Sequence, residues 1–206
     1  MSNIDFNLYL ITDRLNIPAG TTLLNQVESA LRGGVRAVQL REKDLSPKEL
    51  LPLALQMRQL TAKYGAKLLI NSCLETTLAV AADGIHLTSI DPPIIEIRKK
   101  MGANRLIGIS THSVTDIESA VNKEADFVTF GPIYHTASKA KYGNPLGLAE
   151  LKKACAISTI PVFALGGITP EKIAELKESG CAHFACIGAI LNSDNPETVV
   201  HSFLSR

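Results

Sequence analysis

Eight short apolar runs, each followed by a stretch of helical periodicity, occupy the 206 residues from end to end, and few architectures accept so regular an alternation. The runs that read as strands are Leu8–Ile11, Ala37–Leu40, Lys67–Ile70, Gly84–Leu87, Leu106–Ile109, Phe127–Phe130, Val162–Leu165 and His183–Ile187. Amphipathic segments lie between them at Leu23–Gly33, Pro47–Tyr64, Leu74–Ala82, Pro93–Met101, Val114–Glu124, Leu148–Cys155, Pro170–Ser179 and Pro196–Leu204. Eight such units predict an α/β chain folded as a single-domain (β/α)8 TIM barrel over residues 1–206. The length is near the lower end for that fold, so the loops must be short. A hydrophobic content of 46% and a positive mean hydropathy fit one well-buried core.

Helix punctuation keeps the same register. Ser46-Pro47, Thr169-Pro170 and Asn195-Pro196 each set a capping residue before a proline at the first helical position, and Gly33, Gly65, Gly102 and Gly180 follow helix ends. Pro52 falls early enough in the second helix to be absorbed as a kink. The rival architecture is an open doubly wound sheet, whose phosphate-binding glycines follow the first strand. Here Thr12-Asp13-Arg14 follows the first strand with no glycine before Gly20, whereas glycines follow the seventh and eighth strands. That asymmetry favours the closed barrel.

A net charge of +1 argues against nucleic acid or an anionic membrane as partner, so anion binding has to come from local charge. Cys73, Cys155, Cys181 and Cys186 form no C-x-x-C pair and sit among apolar or helical residues, which reads as reduced packing thiols rather than a disulfide or zinc set. The first seven residues lack the basic and apolar regions of a signal peptide, and no apolar run reaches the length of a membrane span. A soluble, cytoplasmic protein is expected, with assembly into a homo-oligomer left open.

In a barrel the chemistry belongs at the C-terminal ends of the strands. The seventh strand leads into Gly166-Gly167-Ile168-Thr169-Pro170 and the eighth into Gly188-Ala189-Ile190. Adjacent glycine-bearing ends that open helices expose backbone N–H groups as a phosphate cradle, and a side chain at Gly167 is expected to fill the space the phosphate needs. The second strand ends Gln39-Leu40-Arg41-Glu42-Lys43. Alternation aims Gln39, Arg41 and Lys43 at the barrel mouth, where the two cations suit a multiply charged anion such as pyrophosphate and Gln39 suits an amide-like or amidine-like edge. The competing reading is a surface ion-pair cluster of Arg41 and Lys43 with Glu42 and Asp44.

Asn71, Asp91 and Ser110 follow the third, fourth and fifth strands, placed either to coordinate magnesium or phosphate oxygens or, for Asp91 and the nearby Ser113, simply to cap helices. The longest loop, 131–147, carries Thr136, Ser138, Lys139 and Lys141 between the apolar anchors Ile133, Tyr134 and Leu146, and reads as a lid that closes on phosphate. His86, His112 and His135 lie near strand ends without the spacing of a helical metal pair, and His183 and His201 are assigned to structure or surface.

Taken in order from about residue 8 to residue 204, Gln39-x-Arg41-x-Lys43, Asn71, Ser110-x-His112, Phe130-Gly131-Pro132-Ile133-Tyr134, Thr136-x-Ser138-Lys139 and Ala164-x-Gly166-Gly167-Ile168-Thr169 resemble the thiamine-phosphate synthase/TenI family. The resemblance implies a transferase of thiamine biosynthesis that joins hydroxymethylpyrimidine diphosphate to thiazole phosphate and releases pyrophosphate. It also implies that magnesium and basic residues draw off the diphosphate, leaving a pyrimidine-methyl cation for the thiazole nitrogen to capture. Carried onto this chain, Arg41, Lys43 and Lys139 supply the catalytic charge, and Asn71 and Ser110 also hold the diphosphate. Gln39 meets the pyrimidine, while Thr136, Ser138 and the backbone of Gly167, Ile187 and Gly188 surround the thiazole phosphate. A dissociative step of that kind calls for preorganised cations rather than a proton-transfer group, and no Ser/His/Asp constellation stands out.

Two departures from the family pattern bear on the metal. Its synthases carry aspartate where this chain has Ser72, and Gly-Gln-x-Asp where this chain has Thr88-Ser89-Ile90-Asp91. Asp91 is thus the one carboxylate expected to bind Mg2+, with water completing the shell. The loss points toward the TenI-like branch, in which a thiazole tautomerase moves a proton with a histidine just after the sixth strand's Phe-Gly. Here that position is Pro132, and His135 lies three residues further on. A non-catalytic binding protein for thiazole phosphate or thiamine phosphate is the third reading. Retention of Arg41, Lys43 and Lys139 favours the synthase.

Overall fold

The computed structural model describes residues 4–136 and 144–206. Eight strands, β1 (Leu8–Ile11), β2 (Ala37–Leu40), β3 (Lys67–Asn71), β4 (Gly84–Leu87), β5 (Leu106–Thr111), β6 (Phe127–Phe130), β7 (Val162–Leu165) and β8 (His183–Cys186), close into a barrel in sequence order. Each is parallel to the next, and β8 returns to β1 with Tyr9 opposite Ala185. The helices described are α1 (Leu23–Arg32), α2 (Pro47–Lys63), α3 (Leu74–Ala79), α4 (Ile94–Met101), α5 (Val114–Asn122), α6 (Gly147–Ile157), α7 (Ile173–Glu178), α8 (Gly188–Leu191) and α9 (Pro196–Leu204). The fold is the (β/α)8 barrel that the alternation predicts.

Two cores result, because a barrel strand buries both faces. Outward-facing Leu10, Val38, Leu68, Ile70, Ile85, Ile107 and Val128 pack with Val27, Leu31, Met57, Ile117, Leu151 and Val200 of the helices. Inward-facing Phe6, Tyr9, Ile11, Leu69, Leu106, Phe127 and Phe163 fill the barrel. Phe127 stands edge-on to Tyr9 and Phe163, with centroids 5.4 and 5.2 Å away, a preferred arrangement for aromatic quadrupoles. The same crowding explains a glycine in mid-strand: a Cβ on Gly108 would lie 2.4 Å from Phe127 Cζ and 2.7 Å from His86 Nδ1.

Local chemistry sets the element ends. Ser46 and Ser113 form capping boxes with Glu49 and Asp116, and Asn195 Oδ1 accepts from the Thr198 N–H at 3.1 Å. Thr169 makes no side-chain cap; Pro170–Lys172 instead forms a 3-10 turn that leads into α7. β3 and β5 run further than their apolar stretches, so Asn71 and Ser110 are paired strand residues opposite His86 and Thr129. β8 stops one residue short of the expected end, because Ile187 (φ −121°, ψ −93°) already turns the chain into α8.

The N-terminal end of the barrel is held by a repeated device. Asp83 Oδ2 accepts from Leu68 N at 2.8 Å and from Arg58 at 2.5 Å. Asp126 Oδ2 accepts from Ile107 N and from Arg98, both at 2.7 Å. In each case a carboxylate just before a strand ties the preceding strand to a helix arginine. These polar groups are committed to structure, which leaves the chemistry to the opposite end.

Candidate active site

At the C-terminal end of the strands lies a cavity of about 870 Å³, and Gln39, Arg41, Lys43, Asn71, Ser110, Thr136, Gly167, Ile187 and Gly188 all line it. Alternation in and beyond β2 puts Gln39, Arg41 and Lys43 on the cavity, while Glu42 between them and Asp44 after them are off it. Glu42 accepts from Thr12 Oγ1 at 2.6 Å and from Arg14 N at 3.1 Å, and Asp44 pairs with Arg14. Arg14 therefore takes up the carboxylates of the expected surface cluster. Among the described residues Arg41 has no ion-pair partner, and burial holds its guanidinium below the usual arginine range.

Beneath these cations the cavity floor is polar and buried. Gln39 Nε2 donates to Tyr9 Oη at 3.1 Å, Tyr9 Oη lies 3.5 Å from His86 Nδ1, and His86 Nε2 lies 3.1 Å from Ser110 Oγ. Gln39, Tyr9 and His86 are each no more than 1% exposed. Burial, with a smaller contribution from Arg41, pushes the imidazole pKa down to about 3, so His86 is neutral near pH 7. Sequence reasoning gave neither Tyr9 nor His86 a role. Their signal was the period-two register of β1 and β4, which points both side chains inward.

The opposite wall carries the glycines. Gly166 and Gly167 have φ of +100° and +68°, the left-handed region that glycine enters without penalty. A Cβ on Gly167 would lie 2.8 Å from Tyr134 Cβ and 3.1 Å from His135 O. A side chain at Gly167 therefore also strikes the start of the β6–α6 loop. Lys172 Nζ braces the turn by donating to Gly167 O at 2.8 Å, lies 3.9 Å from the Tyr134 ring centroid, and leaves Tyr134 Oη to donate to Glu175 at 2.5 Å. Across the gap, α8 begins at Gly188, and its first N–H groups have no acceptor within the helix. Thr136 Oγ1 is buried without a hydrogen-bond partner among the described residues. Ser138 and Lys139 lie outside the described residues.

Asp91 stands apart from the cavity wall, although Thr88, Ser89 and Ile90 line it. Its Oδ2 accepts from Ser72 Oγ at 2.7 Å, Thr88 N at 2.6 Å and Thr88 Oγ1 at 2.8 Å. The carboxylate therefore pins the β4–α4 loop to the end of β3 and does not cap α4, whose N-cap is Pro93. Ser113 does cap α5. His112 Nδ1 lies 2.6 Å from Gly131 O and the residue lines the cavity, while Asp13 adds a carboxylate near Arg41. Among the described residues no three His, Cys, Asp or Glu side chains are grouped to hold a metal.

A closed parallel barrel whose cavity gathers cations after β2 and glycine turns after β7 and β8 defines a (β/α)8 protein with its site at the C-terminal ends of the strands. The sequence model of a family described as thiamine monophosphate synthase matches residues 8–190, and the chain belongs to that family. A Geobacter sulfurreducens protein provisionally described as a thiamine-phosphate synthase is 47% identical over 205 residues, which cover 100% of this chain and 96% of that protein. The thiamine-phosphate synthase of Clostridium novyi is 38% identical over 94% of each chain. Among solved structures, the thiamine phosphate pyrophosphorylase of Pyrococcus furiosus superposes with a TM-score of 0.86 at 30% identity, covering 97% of this chain and 94% of that one. Among the described residues no helix is long and apolar enough to cross a membrane.

Proposed function

We propose that this chain forms thiamine phosphate from hydroxymethylpyrimidine diphosphate and thiazole phosphate, with the diphosphate against Arg41 and Lys43 and the thiazole phosphate against Gly167, Ile187 and Gly188. The observation that carries the reading is Arg41, a half-buried guanidinium on the cavity with no ion-pair partner among the described residues. A half-buried charge that feels Asp13 and Glu42 but has no direct ion pair is costly to hold, and a bound diphosphate supplies a direct anion.

In this reading Arg41 and Lys43 stabilise the charge that gathers on the leaving diphosphate as its bond to the pyrimidine methylene breaks. Asn71 and Ser110 hydrogen-bond its oxygens, and Lys139 supplies further positive charge. Gln39 holds the pyrimidine edge so that the departing group faces the cations. Thr136 and the two glycine ends fix the thiazole phosphate, placing the ring nitrogen to attack the carbon left electron-poor. Preorganised charge does the catalysis, and no side chain need move a proton.

Asp91 lies off the cavity wall, so a magnesium ion would be held mainly through substrate. Asp91 has Oδ1 without a hydrogen bond among the described residues, which suits a cation that takes one protein carboxylate and completes its shell with phosphate oxygens and water. Magnesium would add charge neutralisation at the leaving group. A thiazole tautomerase is the second reading, favoured by one observation: His112 lines the cavity and, with Nδ1 held by Gly131 O, makes no hydrogen bond through Nε2 among the described residues. The test is thiamine phosphate formation from the two substrates with and without magnesium, in the wild type and in Ser72→Asp. Magnesium-dependent product is expected from both, at lower magnesium for Ser72→Asp. No product from either would refute the synthase reading.

A further inference from the structure

We propose that Tyr9 and His86 are positioning residues that form a hydrogen-bond relay of fixed polarity between Gln39 and Ser110, so that the substrate meets Gln39 Oε1 as an acceptor and Ser110 Oγ–H as a donor. The direction is set by the Gln39 amide, whose Nε2 faces Tyr9, and is carried along the other three side chains by counting protons. Gln39 Nε2 donates to Tyr9 Oη at 3.1 Å, which occupies the phenol oxygen as an acceptor. Tyr9 is wholly buried, and a buried hydroxyl proton needs an acceptor of its own. His86 Nδ1, at 3.5 Å, is that acceptor. An imidazole that accepts at Nδ1 carries its proton on Nε2, and His86 Nε2 is 3.1 Å from Ser110 Oγ. With its oxygen receiving that N–H, Ser110 directs its own proton into the cavity.

Burial keeps both links from titrating near neutrality. It holds the Tyr9 phenol far above its ordinary range, and the His86 imidazole stays neutral down to about pH 3. Arg41, the charged group that bears on His86, pushes the same way. The polarity also matches both ends of one ligand. A carbonyl oxygen at Gln39 takes an N–H from an aminopyrimidine edge, and a hydroxyl proton at Ser110 is given to a diphosphate oxygen. The reverse polarity is open to the same four side chains and would offer an N–H to the amine and a lone pair to the anion. The relay therefore makes recognition of the ring and of the leaving group depend on one arrangement of protons.

This inference rests on the assignment of the diphosphate to Ser110, and the experiment separates the two. Proton–nitrogen correlation spectra of histidine-labelled protein are expected to show His86 as a neutral Nε2–H tautomer, unchanged over roughly pH 6 to 9. An Nδ1–H tautomer, or a titrating ring, would overturn the relay. Pyrophosphate binding is then measured by calorimetry in wild type, Tyr9→Phe, Ser110→Ala and the double variant. Tyr9→Phe keeps the packed ring and removes only the hydroxyl. Each single variant should bind about tenfold more weakly, the scale of one hydrogen bond to a charged group, and the double variant no more weakly than Ser110→Ala alone. A packing role for Tyr9 gives losses that multiply, and that result would also overturn the relay. If Ser110→Ala binds pyrophosphate as the wild type does, the diphosphate assignment falls and takes the proposed coupling with it, even where the Nε2–H signal is intact.

Discussion

Arg41 and His86 show opposite solutions to the cost of burying an ionisable group. Arg41 stays charged and waits for a ligand, whereas His86 gives up its charge to the floor network. Arg41→Met should therefore reduce thiamine phosphate formation by about 10²-fold or more, the usual loss on removing one preorganised donor. Because no protein carboxylate is orphaned, its unfolding free energy should be equal to or above that of the wild type. A clear loss of stability in urea denaturation would contradict that account. For His86 the pH dependence has a definite sign. The unfolded chain takes up the proton near pH 6.5 and the folded chain only near 3, so stability is fully present above about 6.5 and falls as pH drops toward 3. The slope from this one group is at most about 1.4 kcal/mol per pH unit. Urea denaturation of His86→Gln should show a pH dependence shallower by up to one proton in that window, and equal slopes would count against a buried neutral imidazole.

At the scale of elements, the β7–α7 turn and the start of the β6–α6 loop are one structure. Gly167 is left-handed and lies against Tyr134, while Lys172 is bonded to the Gly167 carbonyl and packs on the Tyr134 ring. Gly167→Ala should cost about 1 kcal/mol or more in stability from the positive φ alone, and displacement of Tyr134 should weaken inorganic phosphate binding as well. A thermal melt and a phosphate titration check the two effects. Most of the element order was legible from the chain, because parallel strands buried on both faces leave unbroken apolar runs and the caps at Ser46, Ser113 and Asn195 are local chemistry. The reading stopped early at Asn71 and Ser110, where a strand continues with polar residues because the barrel interior becomes a cavity. It assigned Gln39, Arg41 and Lys43 correctly to one side by alternation alone. It left open where Glu42 and Asp44 go, since their partner Arg14 is some thirty positions away in sequence and no local period announces it.

For the molecule as a whole, binding energy and folding energy are linked through the cavity. At one hundred times its dissociation constant, pyrophosphate should raise the unfolding free energy by about 2.7 kcal/mol, or roughly 5 to 10 °C in Tm for a chain of this size. Arg41→Met should show little of that shift at the same concentration, and an undiminished shift would move the anion site elsewhere. The cavity also constrains traffic. Tyr9, Phe127 and Phe163 stopper the barrel below His86, so among the described residues the chamber is closed below and opens at the C-terminal ends of the strands. Gln39 sits on its floor, and the glycine turns sit at its edge. A pyrimidine seated on that floor must arrive before a thiazole docks above it, and it can leave only once the rim is clear. Steady-state kinetics should accordingly be ordered, with the pyrimidine substrate first, as a direct result of three aromatic rings that never touch the reacting atoms.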